Sequence, residues 1–182
     1  SRGYAAGWDM RINGEFVDGL ESWFSFSLLK TDENIEYLDA NNNVQNSGLI
    51  RRPTDQRVNA SVFFQDELPM NPRLKTNLFF VFGSATPYYL GGRFRYVEGF
   101  KIPPYRRVDI GFTYDILDAK DPRNKKWKSK LSDLKLGLEI FNLTAANNTI
   151  SYIWVRDFTG ATYGVPSYLT TRRINITLSA NF

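Results

Sequence analysis

The sequence predicts an all-β chain of antiparallel strands, and three observations lead to this prediction. Apolar and polar residues alternate with a period of two in almost every segment, as successive side chains do on the two faces of a sheet. The longest apolar runs, such as 78–82, are far shorter than the ~18 residues that a membrane-spanning helix needs. Aromatic residues make up 15% of the chain although its mean hydropathy is -0.37, which fits strands with one apolar and one polar face.

Four strands are predicted in the first half of the chain. In the first, 4–16, the even positions are apolar and the odd ones from Asp9 to Glu15 are polar. The second, 24–28, and the third, 58–64, alternate in the same way. In the fourth, 74–82, the even positions again form an apolar face, but Phe79 and Val81 interrupt the polar one.

Three further strands are predicted in the second half, at 108–114, from 134 onward, and at 174–182. The last alternates most clearly, with Ile, Leu, Ala and Phe at even positions and Asn, Thr and Ser at odd ones. The stretch 142–149 is ambiguous. As a hairpin turn it gives eight strands, and as a bulge inside one long strand from about 134 to 156 it gives seven.

Connector length favours seven strands. Short turns are predicted at Asp18-Gly19 and 68–72, and long connectors at 31–56, 83–104 and 157–171. With seven strands the three long connectors share one end of the sheet, as the external loops of outer-membrane barrels do, and the two short turns share the other end with the connector at 118–133. Bacterial single-chain barrels have an even strand number and leave no bare edge in lipid, so seven strands would be a piece of a larger barrel.

The residue types of the polar faces favour a membrane protein over a soluble one. Their side chains are mostly small, uncharged and hydrogen-bonding, which suits a wet or plugged lumen, whereas a soluble surface more often carries Lys and Glu. Strands of about ten residues, tilted by ~40°, span the ~25 Å apolar band of such barrels. Several aromatic residues suit the girdles at the membrane boundary: Tyr4, Trp8, Phe16, Trp23, Tyr105, Tyr152, Trp154 and Phe182. We therefore expect an antiparallel transmembrane β-barrel.

Composition narrows the functional classes. The chain contains no Cys and no His, which removes disulfides, thiol catalysis, histidine acid–base chemistry and the usual zinc sites. A formal net charge of +4 is modest and scattered, so no nucleic-acid partner is expected. We expect neither an enzyme nor a bound cofactor or metal. No signal peptide is visible at the amino terminus, and residues 1–182 are expected to form one structural unit.

Five segments together resemble the carboxy-terminal barrels of TonB-dependent receptors. The stretch 56–72 resembles a strand and turn of these barrels, and 102–109 resembles their loop-to-strand entry. The stretch 139–143 is similar to an element of their penultimate strand, although here no Phe follows Asn142 and Leu143. The stretches 148–155 and 168–175 are similar to those of large nutrient receptors of glycan-feeding bacteria.

The resemblance implies a 22-stranded barrel in the outer membrane of a Gram-negative bacterium, of which this chain would be the last seven strands. It also implies an amino-terminal plug domain, absent from this chain together with the earlier strands. Coupling to the TonB complex through that missing region and a surface lipoprotein lid are implied as well. Membrane lipid and lipopolysaccharide would surround the barrel, which would import a nutrient that the sequence does not identify.

Candidate functional residues occur at two places in the sequence. A basic and aromatic loop could contact a ligand by ring stacking and charged hydrogen bonds, or it could contact lipopolysaccharide or neighbouring loops; its candidate residues are Tyr88, Tyr89, Arg93, Arg95 and Tyr96. The terminal Phe182 resembles the signal that the outer-membrane assembly machinery recognises, and otherwise it would be a girdle residue.

Other features have plainer interpretations. The stretch 39–43 begins like a calcium loop but lacks its Gly and closing Glu, so a solvated loop tip is expected. Basic residues crowd the connector at 120–130 around Trp127, where a solvated periplasmic turn is expected.

Two other functional classes stay open. One is a stand-alone eight-stranded outer-membrane barrel with a structural or adhesive role, and the other is a soluble lipocalin-like binding protein. In a soluble protein the apolar even-numbered side chains, among them Trp8, Phe26, Phe112 and Ile176, would cluster in a closed dry core.

Overall fold

A computed structural model describes residues 2–39, 41–89, 100–117, 131–169 and 171–181. These residues form twelve β-strands: β1 (Arg2–Val17), β2 (Leu20–Leu38), β3 (Val44–Arg51), β4 (Val58–Leu68), β5 (Asn71–Gly83), β6 (Thr86–Tyr88), β7 (Phe100–Ile102), β8 (Tyr105–Leu117), β9 (Asp133–Phe141), β10 (Thr149–Arg156), β11 (Thr162–Tyr168) and β12 (Arg173–Asn181). In the described part of the chain, no helix has the length and apolar character needed to cross a membrane.

Seven strands pair in the order β1-β2-β4-β5-β8-β9-β12, and every pairing along this path is antiparallel. They are the seven strands that the alternation predicts, and each begins or ends within a few residues of the predicted bounds apart from β2, which continues to Leu38. The short β3 pairs with the extension of β2, while β6–β7 and β10–β11 form separate two-stranded sheets. The all-β antiparallel prediction is confirmed.

The seven-stranded sheet is open. In the part of the chain that the structure describes, β1 pairs with β2 alone and β12 with β9 alone, so the outer edges of β1 and β12 have no strand beside them. A sheet with two bare edges is not a closed barrel.

The three connectors predicted to be long lie at one end of the sheet, as expected, while the β8–β9 connection, residues 118–132, belongs to the other end. In an antiparallel meander alternate connections fall at the same end, and β2–β4, β5–β8 and β9–β12 are such a set. We name this the loop end and the opposite one the turn end. At the turn end, Asp18 and Gly19 close the β1–β2 hairpin, where Gly19 has a φ of 82°, a left-handed conformation that favours glycine.

Four strands within the long connectors were not predicted: β3, β6, β7 and β11. They are short or irregular in pattern; β3, for example, reads VQNSGLIR and has no period-two alternation. These segments are strands because they pair with a neighbouring strand, and not because they have an apolar face.

The stretch 142–149 interrupts a long hairpin and does not reverse the chain. Strand β9 pairs with β12, and β10, which follows the interruption, pairs with β11, which precedes β12. The chain therefore continues away from the sheet through β10 and returns through β11. This agrees with the seven-strand prediction, although the interruption is longer than a single-residue bulge.

The register of the strand pairs places the apolar positions of all seven strands on the same face of the sheet. Opposite residues of neighbouring strands share a face, and one row across the sheet contains Ile12, Phe24, Val62, Phe80 and Val108. A second row contains Phe112, Leu138 and Ile176. In the middle of the sheet even-numbered side chains thus form an apolar face, which ends at polar even-numbered residues such as Asp66, Thr76 and Arg106, and odd-numbered side chains form a mainly polar face.

No hydrophobic residue is buried in the described part of the chain. Apart from Gly83, Pro87 and Gly111, the buried residues there are polar or charged: Ser22, Thr31, Asp32, Glu33, Asp55, Asp109, Asp115, Asn142 and Asn148. Soluble proteins show the opposite distribution, because apolar side chains leave water on folding. The closed dry core that a soluble β protein would require is absent from these residues.

Candidate functional site

The apolar face is exposed at the two edge strands and half-buried over most of the strands between them. Trp8 is 53% exposed at one edge strand, and Ile176 is 71% exposed at the other. Ile12, Leu78, Leu136, Leu138, Ile174 and Leu178 are also exposed large hydrophobic residues of this face. A soluble monomer rarely exposes a contiguous apolar surface larger than a few hundred Å², and larger ones mark contact sites for protein or membrane.

The polar face carries small hydrogen-bonding side chains over much of its area. Ser25 lies opposite Ser61, and Ser27 lies opposite Asn59. Near the far edge, the Asn175 amide donates to a carboxylate oxygen of Glu139 at 3.1 Å. Such a surface is compatible with water or with a polar partner.

A charged cluster lies on the polar face towards the turn end. The carboxylate of Asp115 is 3.3 Å from the ammonium of Lys75 and 4.0 Å from that of Lys135. Lys75 also approaches Glu67 at 3.8 Å, and Lys135 approaches Asp133 at 3.3 Å. Lys75, Asp115 and Lys135 border a shallow depression of about 140 Å³. Alternating charges of this kind can be desolvated only by a partner that is itself polar.

A cluster of aromatic side chains interrupts the polar face. The ring centroid of Trp23 lies 6.1 Å from that of Phe63 and 6.0 Å from that of Phe79, and the guanidinium of Arg11 lies 5.0 Å from the Trp23 ring. The sequence predicts the interruption at Phe79 but suggests a girdle position for Trp23. Trp23 instead lies opposite Asn13 and Phe63 on the polar side.

Asp55 is the centre of an ion network at the loop end. It is fully buried, and it accepts hydrogen bonds from the Thr31 amide at 2.8 Å and from the guanidinium groups of Arg51 and Arg57. Burial by itself raises the pKa of Asp55, but the hydrogen bonds from Arg51, Thr31 and Arg57 outweigh it and hold the pKa below its ordinary value. The network fixes the β3–β4 connection against β2.

A second polar network supplies hydrogen-bond partners to the β8 backbone beyond the point where β9 ends. The side chain of Asn148 accepts from the Arg106 amide and donates to the Arg106 carbonyl, both at 2.9 Å, and so replaces a neighbouring strand. Asp109 accepts the Asn142 amide at 2.7 Å and holds the Arg107 guanidinium through two contacts of 2.8 and 2.7 Å. Asn142 itself has a φ of 52°, a conformation that Asn tolerates better than most residues.

The two described tyrosines of the predicted ligand loop contact different neighbours. The Tyr88 hydroxyl donates to the Tyr152 carbonyl at 3.4 Å, and the Tyr89 hydroxyl donates to the Arg51 carbonyl at 2.6 Å. Both therefore tie connectors together at the loop end, and their contact with a ligand stays a prediction. Arg93, Arg95 and Tyr96 lie outside the described residues, as do Phe182 and the basic connector at 120–130.

Asp39 and residues 41–43 form a hydrogen-bonded loop tip. One carboxylate oxygen of Asp39 accepts the amides of Asn41 and Asn43 at 2.8 and 2.9 Å, and the bond from Asn43 is the main reason that the Asp39 pKa is lowered. The acidic group is satisfied by its own loop, as expected for a loop tip.

Sequence reasoning missed an aromatic groove beyond the main sheet. It is an open groove of about 360 Å³ bordered by Phe100 and Lys101 of β7, Tyr152 and Trp154 of β10, and residues 162–164 of β11. Alternation in β10 places Tyr152 and Trp154 on one side of the hairpin, and the sequence suggests girdle positions for both. Their pairing with Phe100 depends on a contact between distant loops that no local pattern contains.

Comparison of the chain with protein-family models, with curated proteins and with solved structures gives no match.

Proposed function

We propose that this chain is the carboxy-terminal part of a TonB-dependent transporter, a transmembrane β-barrel that imports a nutrient across the bacterial outer membrane. The observation that carries the proposal is the inverted distribution of side chains: an apolar face that is exposed or half-buried on all seven strands, and no buried hydrophobic residue among those described. Hydrocarbon around this face accounts for it, because its apolar side chains would then lie in an apolar medium.

The open edges support the larger barrel. Each exposes backbone N–H and C=O groups, which cost several kcal/mol each when left unpaired in hydrocarbon. In the proposed 22-stranded barrel, β1 pairs with the preceding strand and β12 with the first strand of the same polypeptide. The resemblance described above, and not the geometry of these seven strands, supplies the strand number.

The polar face would line the lumen. Its charged cluster and its serine and asparagine side chains suit contact with water and with a polar plug domain. The loop end would face outward, where a surface lipoprotein lid and lipopolysaccharide are the proposed neighbours, and the turn end would face the periplasm. Coupling to the TonB complex would pass through the amino-terminal region and not through these strands.

The two other classes receive less support. A stand-alone eight-stranded barrel would close on itself, whereas the described path has seven strands and two bare edges. A lipocalin-like protein would bury its apolar face in the interior, whereas the described residues form no such core.

Fractionation of the native bacterium tests the proposal. We expect the gene product in the outer membrane as a band that migrates differently before and after heating, at a mass several times the 21.0 kDa of this chain. Uptake of its solute should stop when the TonB protein is deleted. A heat-modifiable band of about this chain's mass would establish the stand-alone barrel, and recovery in the soluble fraction without detergent would establish the lipocalin-like protein.

A further inference from the structure

A groove of about 230 Å³ crosses the apolar face of β1, β2 and β4 near the turn end. Six of its lining residues belong to that face: Ile12, Gly14, Phe16, Phe24, Val62 and Phe64. The ring centroids of Phe16 and Phe64 lie 5.5 Å apart, although their strands flank β2 on opposite sides. Aromatic and branched side chains thus form the walls of the groove, and this ring pair lies at its turn end.

Gly14 leaves the groove open. A Cβ added at Gly3 or Gly7, the other glycines of β1, would lie 2.8 or 2.9 Å from a backbone oxygen of β2, so close packing excludes a side chain at those two positions. At Gly14, no described atom would lie within 4 Å of an added Cβ. A glycine inside a strand weakens the strand, and it often marks a place where a ligand approaches the backbone closely. The described residues do not require glycine at position 14, and an occupant of the groove would.

Ser22, opposite Gly14, needs no polar partner in the groove. Its hydroxyl accepts the Gln65 amide at 3.0 Å and donates to the Gln65 carbonyl at 3.4 Å. This small side chain therefore extends the β2–β4 pairing beyond Trp23 and Phe63, where the ladder ends. Because the hydroxyl is already satisfied, the groove suits an apolar occupant.

The polar border of the groove at the turn end is acidic. Asp66 follows Phe64 by two positions, so it lies on the same face, about 7 Å nearer the turn end. Its carboxylate accepts the Glu67 amide at 2.8 Å, and among the described residues it forms no ion pair with a lysine or arginine. Asp18 in the β1–β2 turn adds a second negative charge at this end. The border therefore favours a cationic group.

We propose that this groove binds one acyl chain of a phospholipid whose headgroup carries a free ammonium, as in phosphatidylethanolamine. The chain would fill the space over Gly14, because an empty recess facing a bilayer loses dispersion contacts. The ammonium would pair with Asp66 in a charge-assisted hydrogen bond, whereas an anionic headgroup would be repelled by Asp18 and Asp66. The proposal rests on the membrane location in the proposed function, and it adds a lipid site in the periplasmic leaflet.

Native mass spectrometry of the full-length polypeptide, released from detergent micelles, tests the groove. The probes are dioleoyl phosphatidylethanolamine and dioleoyl phosphatidylglycerol, added at the same ratio to protein. We expect the wild type to retain the first lipid about threefold more than the second, a ratio typical of one ion pair near the water boundary. Equal retention of both lipids, retention of neither, or a preference for phosphatidylglycerol would overturn the proposal.

Variants connect the retained lipid to the named residues. Gly14→Leu fills the groove and should lower the retention of phosphatidylethanolamine about threefold or more, because the chain loses its wall contacts. Asp66→Asn should remove the preference between the two lipids. Val62→Trp fills the groove from β4 and should act like Gly14→Leu, so it decides the question where Gly14→Leu gives no heat-modifiable band.

Ala180→Leu is the matched control, because Ala180 is a small, exposed residue of the same face near the turn end of β12, outside the groove. Wild-type retention by the folded groove-filling variants would contradict the assignment, and so would an equal loss in Ala180→Leu.

The two proposals fail separately. Lipid retention is measured on purified protein, whereas TonB dependence is measured in cells. A TonB-dependent transporter that retains both lipids equally would overturn the groove alone. A stand-alone barrel that prefers phosphatidylethanolamine would overturn the transporter alone.

Discussion

Asp55 is an ionised carboxylate with no exposed surface, held between two arginines that are about one third exposed. A buried charge is tolerated when it is paired and hydrogen-bonded, and here the Thr31 amide and both guanidinium groups supply those bonds. The network joins residues far apart in sequence, so one substitution affects the whole β2–β4 connection.

Replacing Asp55 with Asn should destabilise the loop end at neutral pH, because Arg51 and Arg57 lose their common anion. Breaking a fully buried pair costs roughly 3–5 kcal/mol, and exposure of the arginines reduces our expectation to about 1–2 kcal/mol. The unfolding midpoint of the full-length protein in detergent measures the change. Asp39→Asn, in an exposed loop tip, is the control and should have a smaller effect.

The same network predicts a pH dependence. The pKa of Asp55 is lower in the folded state than in the unfolded chain, so its contribution to stability is present above the unfolded value of about 3.9 and is lost as the pH falls through the folded value. The difference between wild type and Asp55→Asn should therefore be largest at neutral pH and shrink below about pH 4. A difference that grows on acidification would contradict the assigned charge state.

Among the elements, β12 shows the two-faced design most simply, since every described residue in it alternates between Ile, Leu or Ala and a polar or charged side chain. Ile176 and Thr177 are adjacent residues near the middle of β12 and lie opposite Leu138 and Gly137 of β9. Their side chains point to opposite faces of the sheet at nearly the same position along the strand. In a barrel they would contact hydrocarbon and lumen respectively.

Substitution of lysine at these two positions should lower the folding free energy by unequal amounts. Near the bilayer midplane, Ile176→Lys should lower the folding free energy by about 2–4 kcal/mol, whereas Thr177→Lys should cost less than about 1 kcal/mol because the lumen is polar. Denaturant titration of the full-length polypeptide in lipid vesicles measures both. Equal costs would contradict the assignment of faces.

The interruption after β9 depends on Asn148, whose amide group replaces a strand beside Arg106. Asn148→Ala should leave the Arg106 amide without its acceptor and accelerate its hydrogen exchange about tenfold, corresponding to ~1.4 kcal/mol. Asn147→Ala, at the exposed neighbouring position, should leave that exchange unchanged. Similar acceleration in both variants would indicate general loosening of the loop.

Alternation was sufficient to predict these elements, because each strand carries its own two-faced pattern, as 174–181 shows. It could not reveal β3 or β11, whose pairing partners and not their composition make them strands. The same limit applies to sites: Phe79 is visible as an exception within its strand, but the contact of Phe100 with Trp154 joins loops that are distant in sequence.

At the scale of the whole molecule, seven strands form a sheet with an apolar exterior and two bare edges. The larger barrel that we propose would explain both features, since it would pair the edges and the bilayer would surround the apolar face. We accordingly expect residues 1–182 expressed alone to give no heat-modifiable folded band in detergent, while the full-length polypeptide gives one. A folded, monomeric product of 1–182 would favour the stand-alone barrel.

Spin-label accessibility at positions 176 and 177 tests the central claim, that the even-numbered side chains contact hydrocarbon. The chain contains no Cys, so Ile176→Cys and Thr177→Cys each introduce one labelling site into it. In bilayers of the full-length polypeptide, the label at 176 should collide freely with lipid-soluble oxygen and little with a water-soluble nickel complex, and the label at 177 should not show this oxygen preference. A label at 176 shielded from both reagents, or open to the nickel complex, would contradict the account.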